Sequence, residues 1–277
     1  MAKRLVNMAI AYDFDGTLAP GNMQEYDFIP KLSMTSNGFW DDVSRYAQEQ
    51  NADQILAYMF QMLKKAESAE VRVTKNDFRK YGEQIKLFPG VTEWFERINE
   101  YGRKKSVRIE HYIVSSGIRE MVEGTSIAKE FKAIYASGFM YDHHGVACWP
   151  ALAINYTTKT QYLFRINKGS LEVHDNSVIN AYVPPEERPV PFENMIFIGD
   201  GDTDIPCMRL VKDLGGHSIS VYNPRKSKSK QVAAQLLKDK RVSLVVPADY
   251  REGKDIDQAV KAMIDKVEAQ SKIIRLR

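Results

Sequence analysis

Two carboxylates set two positions apart offer the first chemistry in this chain: Asp13 and Asp15, in Asp13-Phe14-Asp15-Gly16-Thr17. At an extended strand end such a pair points the same way. Like charges about 4 Å apart repel by roughly 1 kcal/mol in water and about 4 kcal/mol at an effective dielectric of 20. A cation between them, or a proton on one, relieves that cost. Hard oxygen ligands suit Mg2+, and Gly16 allows backbone to approach a ligand closely. A strand that merely ends in an Asp-Gly turn would carry the same residues.

A second acidic cluster is Gly199-Asp200-Gly201-Asp202-Thr203-Asp204. Its G-x-G resembles a dinucleotide loop, but three carboxylates would repel a pyrophosphate unless a metal intervened. Metal ligation or an acidic surface turn are the remaining readings, and the apolar strand before it favours the former. Ile113-Val114-Ser115-Ser116-Gly117 places a hydroxyl at a strand end, suited to a phosphate oxygen or to an ordinary helix N-cap. Lys159 would balance negative charge on a phosphate, or stand solvated after a strand.

The elements that must position these groups alternate. Residues 9–14 read as a buried strand with a polar tip. Residues 39–69 show apolar side chains at helical spacing, and Thr74 with Asp77 forms a capping-box pattern opening another helix. Leu87-Phe88-Pro89-Gly90 marks a return point. Residues 91–101 form a helical face, with Gly102, Arg103 and Lys104 as a C-terminal stop. Strands follow at 111–115 and 133–137, then a hairpin around Asp142-His143-His144-Gly145. Residues 168–180 are expected to be partly helical. Strands at 195–198, 218–222 and 243–246 and a last helix near 256–269 complete the pattern. Strands separated by helices imply a parallel sheet covered on both faces, with its ligand site at the carboxyl strand ends.

Bulk properties narrow the class. The 277 residues are 44% hydrophobic and 27% charged, ordinary for a globular protein. The net charge of +3 is scattered, which excludes a clustered nucleic-acid face. Its one dense run, Arg225-Lys226-Ser227-Lys228-Ser229-Lys230, reads as a solvated loop or as an attractor of anionic substrates. No apolar run is long enough to span a membrane, and the N-terminus is neither signal peptide nor anchor. Only Cys148 and Cys207 occur, far apart, which fits a reducing cytoplasm. No feature fixes an oligomeric state.

Taken in order, D-x-D-G-T, a strand-end Ser, a Lys and G-D-x-x-x-D resemble the signature of the haloacid dehalogenase (HAD) superfamily of phosphohydrolases, over residues 9–246. The resemblance implies an α/β fold: a doubly wound, Rossmann-like parallel core from residues 1–20 and 88–277, with an inserted all-helical cap at 21–87. The layout is similar to that of its phosphoserine-phosphatase-like members. By that resemblance Asp13 is the nucleophile that forms an aspartyl-phosphate, and Asp15 serves as general acid and then base. Mg2+ is held by Asp13, the backbone carbonyl of Asp15, and Asp200. Asp204 ligates through water or orients Lys159. Ser115, Ser116, Gly117 and Lys159 hold the phosphoryl group. Members that cleave carbon–halogen bonds lack an acid at the position of Asp15, so phosphate chemistry is implied. The partner is then a small phosphorylated metabolite. A phosphotransferase or mutase would use the same residues. A catalytically silent binding protein would lack the nucleophile or a metal ligand, and both are present.

Overall fold

The structure, a computed structural model, describes residues 5–276. β1 (Val6–Tyr12) is buried from Met8 to Tyr12. A strand buried on both faces belongs inside a sheet covered by helices. Its side chains alternate accordingly: Met8, Ile10 and Tyr12 enter one apolar cluster, Ala9 and Ala11 the other. β1 is the central strand of seven. On one side lie β2 (Val107–Ile118), β3 (Phe131–Tyr141) and β4 (Ala147–Leu152). On the other lie β5 (Met195–Gly199), β6 (His217–Tyr222) and β7 (Leu244–Pro247). All neighbours pair in parallel except β3 and β4, which form an antiparallel hairpin. Both outermost strands contain a proline, Pro150 in β4 and Pro247 in β7.

Between β1 and β2 the described residues form helices and no strand. These are α1 (Phe28–Lys31), α2 (Ser36–Gln50), α3 (Gln54–Ser68), α4 (Lys75–Glu83) and α5 (Val91–Lys104). Their limits follow local chemistry. The Thr35 hydroxyl accepts from Gly38 N at the start of α2. Asn51, at φ 49°, ends α2, and the Asp53 carboxylate accepts from Ile55 and Leu56 N to open α3. Thr74 and Asp77 form a reciprocal capping box before α4. α4 packs on α6 (Arg119–Gly124) through two glycines. A Cβ on Gly82 would lie 2.0 Å from the Met121 carbonyl oxygen, and one on Gly124 would lie 1.9 Å from that of Arg79. The stretch between α3 and α4 also reaches the hairpin, with Ala147 N donating to Val73 O at 3.0 Å.

The remaining helices are α7 (Tyr156–Lys168), α8 (Ser177–Asn180), α9 (Ile205–Asp213), α10 (Ser227–Lys238) and α11 (Asp255–Arg275). α5 and α11 cover one face with Trp94, Phe95, Val260 and Ile264. α7 and α9 cover the other with Tyr162, Leu163, Met208 and Val211.

The last turn of α5 contains Gly102, Arg103 and Lys104, and the helix ends at Lys104, within the expected stop. A Cβ at Gly102 would meet Ile109 Cδ1 at 2.7 Å, so the glycine lets α5 lie close on β2. The strand expected at 111–115 runs from Val107 to Ile118, so Ser115 lies within it and caps no helix. Residues 168–180, expected to be partly helical, contain the last residue of α7 and the four-residue α8. Gly169, at φ 70°, ends α7.

Candidate active site

The carboxyl ends of three adjacent strands, β2, β1 and β5, deliver the polar groups. Asp13 follows β1 directly and its N–H donates to Ile198 O of β5 at 2.9 Å. Asp13 is buried, at 5% exposure for the residue. The chain then turns: Gly16 N donates to Ala19 O, and Leu18 N to Phe14 O. Gly16 adopts φ 76°, and a Cβ there would lie 2.0 Å from Asp200 Oδ2. Only glycine lets the turn after β1 approach the acid after β5 so closely.

Oxygens of Asp13, Asp200 and Asp204 lie within 4.8 Å of one another. This all-carboxylate set suits a hard divalent cation. Asp15 contributes no side-chain oxygen to it. Instead its Oδ1 accepts from Met23 N at 2.9 Å. Burial first, then the Asp13 charge, push the Asp15 pKa well above the usual carboxylate range, against the pull of that N–H. Asp200 is likewise pushed well up by burial, Asp204 and Asp13, with Lys159 opposing. The charge in this cluster therefore exceeds its protein counter-charge.

That counter-charge is Lys159, in the first turn of α7 and fully buried. Its Nζ donates to Asp13 Oδ1 at 3.0 Å, Asp204 Oδ1 at 2.7 Å and Thr203 Oγ1 at 3.3 Å. Burial opposes the charge, but Asp13 and Asp204 outweigh it and hold the ammonium protonated. The other Asp204 oxygen accepts from Asp200 N and Gly201 N, at 3.1 and 3.3 Å. Both its oxygens are thus engaged within the protein, and burial raises its pKa to about 6. Ser115 is buried with its Oγ accepting from Gly117 N at 3.1 Å. Ser116 Oγ is buried without a partner.

Ser115, Ser116, Gly117, Asp13, Asp15 and Asp200 all line one cavity of about 520 Å3. Its wall also holds groups the sequence did not assign to the site: Gln24, Glu25, Trp40, Tyr58 and Phe88. These come from the connector after β1, from α2 and α3, and from the return point. No motif marks them, because their meeting depends on the path of the chain. Tyr58 Oη donates to Ser116 O at 2.5 Å, tying α3 to the end of β2. From the basic run, Lys226 and Ser229 reach this cavity. A larger, mostly apolar groove of about 950 Å3 lies between α3 and β4. It contains none of the four carboxylates, so size does not mark the chemical centre here.

Comparison with known proteins agrees with this architecture. An uncharacterized protein of Borreliella burgdorferi is 29% identical, over 89% of this chain and 92% of its own length. A HAD family hydrolase of Salmonella enterica serovar Typhi superposes with a TM-score of 0.56 at 15% identity, covering 87% of this chain and 68% of that one. A substrate-bound phosphoserine phosphatase superposes at 0.55 with 14% identity, covering 92% and 98%. Such identities establish a shared fold. The family itself is established by sequence: residues 10–209 match the haloacid dehalogenase-like hydrolase family model, and the chain belongs to that family of hydrolases.

Proposed function

We propose that the chain hydrolyses a small phosphate monoester by way of an aspartyl-phosphate on Asp13. One observation carries this reading. Asp13 and Lys159, 146 positions apart, meet at 3.0 Å beside the oxygens of Asp200 and Asp204. Asp13 Oδ attacks phosphorus, and the bond from phosphorus to the leaving oxygen breaks. Asp15, pushed up and so protonated, gives its proton to that oxygen. Water then attacks phosphorus and gives a proton back to Asp15, and the bond to Asp13 breaks to release phosphate. Lys159 and the hydroxyl of Ser115 hold the phosphoryl oxygens, while Asp204 keeps Lys159 in place.

The carboxylate set fits Mg2+, with Asp13, Asp200 and the Asp15 backbone carbonyl as its protein ligands. When bound, the ion would supply charge neutralisation at the phosphoryl group. In this reading residues 21–87 form the cap, whose α2 and α3 supply Trp40 and Tyr58 to the cavity wall. They close over a small substrate and keep bulk water out. A cavity of about 520 Å3 fits a small metabolite. No described helix is long and apolar enough to cross a membrane, and Cys148 and Cys207 are free thiols; both fit a cytoplasmic enzyme.

The test is phosphate release from a panel of phosphorylated sugars, amino acids, nucleotides and cofactors, with and without Mg2+. Release from at least one ester, lost in Asp13→Asn while the circular dichroism spectrum is retained, is expected. Transfer to an acceptor with no net release would replace hydrolysis by phosphotransfer. Full activity of Asp13→Asn would remove the nucleophile assignment.

A further inference from the structure

Two connectors join the helical segment to the sheet, and a third segment fastens both. The outgoing connector contains the turn from Asp15 to Ala19. The returning one contains Phe88 and Pro89. They touch directly, with Phe88 N donating to Leu18 O at 2.9 Å. The third segment lies between β7 and α11 and contains Tyr250, which is fully buried. Its ring meets Trp94 edge-on, with centroids 5.3 Å apart at 80°. Its N–H donates to Pro89 O at 2.8 Å. Its hydroxyl donates to Thr17 O at 3.0 Å. The Arg97 guanidinium binds the Tyr250 carbonyl, and Arg97 Nε donates to Asp257 at 3.0 Å. Gly90 leaves room for this fastening, since a Cβ there would lie 2.4 Å from Arg251 N.

We propose that Tyr250 is a positioning residue: through the Thr17 carbonyl its hydroxyl fixes the Asp15–Ala19 turn, and with it the placement of Asp15 over the cavity. Thr17 is fully buried, so no bulk water can replace the hydroxyl as donor to its carbonyl. Burial, with the charges of Asp200 and Asp13 and the Tyr12 ring nearby, keeps the phenol protonated and therefore a donor. Asp15 is two residues from Thr17, and its other restraint, Met23 N, belongs to the same connector. A turn freed from Tyr250 shifts both together. Phosphoryl binding by Ser115 and Lys159 depends on β2 and α7, and the Tyr250 hydrogen bonds and ring contact described above go to neither element. The role therefore separates turnover from binding.

The activity arm rests on the phosphatase reading; the exchange arm does not. Tyr250→Phe keeps the ring against Trp94 and removes only the hydroxyl. It is expected to lower kcat about tenfold with KM within about twofold, since a small misplacement of a reacting group is costly. Amide hydrogen exchange should quicken at residues 16–19 and at Phe88, whose N–H donates to Leu18 O, and stay unchanged in β5 and β6. Incorporating 3-fluorotyrosine at 250, which keeps ring and hydroxyl, should preserve both kcat and exchange, and it serves alone if Tyr250→Phe does not fold. Unchanged kcat in Tyr250→Phe, an equal loss in kcat and rise in KM, or exchange quickened throughout the chain would each overturn the proposal. So would loss of kcat in the fluorinated protein. If the unaltered protein releases phosphate from no ester, the phosphatase reading fails instead, and exchange alone decides the role of Tyr250.

Discussion

Asp13 and Asp15 sit two residues apart, yet their neighbours differ. Asp13 faces the Lys159 ammonium, whereas Asp15 faces a backbone N–H and three other carboxylates. In the proposed reaction that contrast separates nucleophile from acid. With Asp15 acting as acid, kcat falls as pH rises through its raised pKa, because the ionised form has no proton to give. Asp15→Asn is expected to remove that limb and cost about 100- to 10,000-fold on alkyl esters. An aryl ester needs no proton to leave. The same variant should release one equivalent of phenol in a burst and then stall, as measured by stopped flow; steady turnover would contradict the assigned role. Lys159→Met would leave Asp13 and Asp204 buried without a cation. It should cost about 3–5 kcal/mol in urea unfolding, and added Mg2+ should recover part of that.

The residue scale is also where the sequence was most legible. D-x-D-G-T and G-D-x-x-x-D carry their meaning in local spacing at the ends of apolar runs, and the structure brings Asp13 and Asp200 together. Gln24, Trp40, Tyr58 and Lys226 carry no such spacing. Each comes from a different segment, and their convergence exists only once the chain has folded.

Among the elements, α7 was hardest to read. Its first turn is Tyr156-Thr157-Thr158-Lys159-Thr160, and β-branched threonines lower helix propensity. Burial of Tyr162, Leu163 and Ile166 against the sheet overrides that preference. The α4 cap was legible because Thr74 and Asp77 act within one turn; Thr74→Ala should cost about 1 kcal/mol. The α4–α6 contact was not, since a glycine in a helix reads as weakness until its neighbour is known. Gly82→Ala and Gly124→Ala would each force backbone apart, at about 1–3 kcal/mol or more in denaturant unfolding. A change within about 0.5 kcal/mol for both would show that the helices can separate freely. This contact also means that α4 is bound firmly to the core.

For the molecule as a whole, the crowded acids tie stability to pH and to metal. Asp15 and Asp200 have pKa values higher in the folded state than in the unfolded chain, where a carboxyl of this type titrates near about 3.9. Such groups contribute stability below that unfolded value and lose it as pH rises through the folded value. With chelator present, the melting temperature should therefore fall as pH rises above about 3.9. Millimolar Mg2+ should raise it, most at high pH, by binding the folded state alone. A melting temperature that climbed with pH in chelator would contradict this account.

Pro150 and Pro247 have a consequence beyond the single molecule. Each lies in a border strand and offers no amide hydrogen, so an incoming strand from another chain finds a gap at either edge of the sheet. Replacing either with threonine would leave the catalytic cluster untouched and supply the missing donor. Concentrated solutions of such variants should then form fibrils or precipitate sooner than the parent.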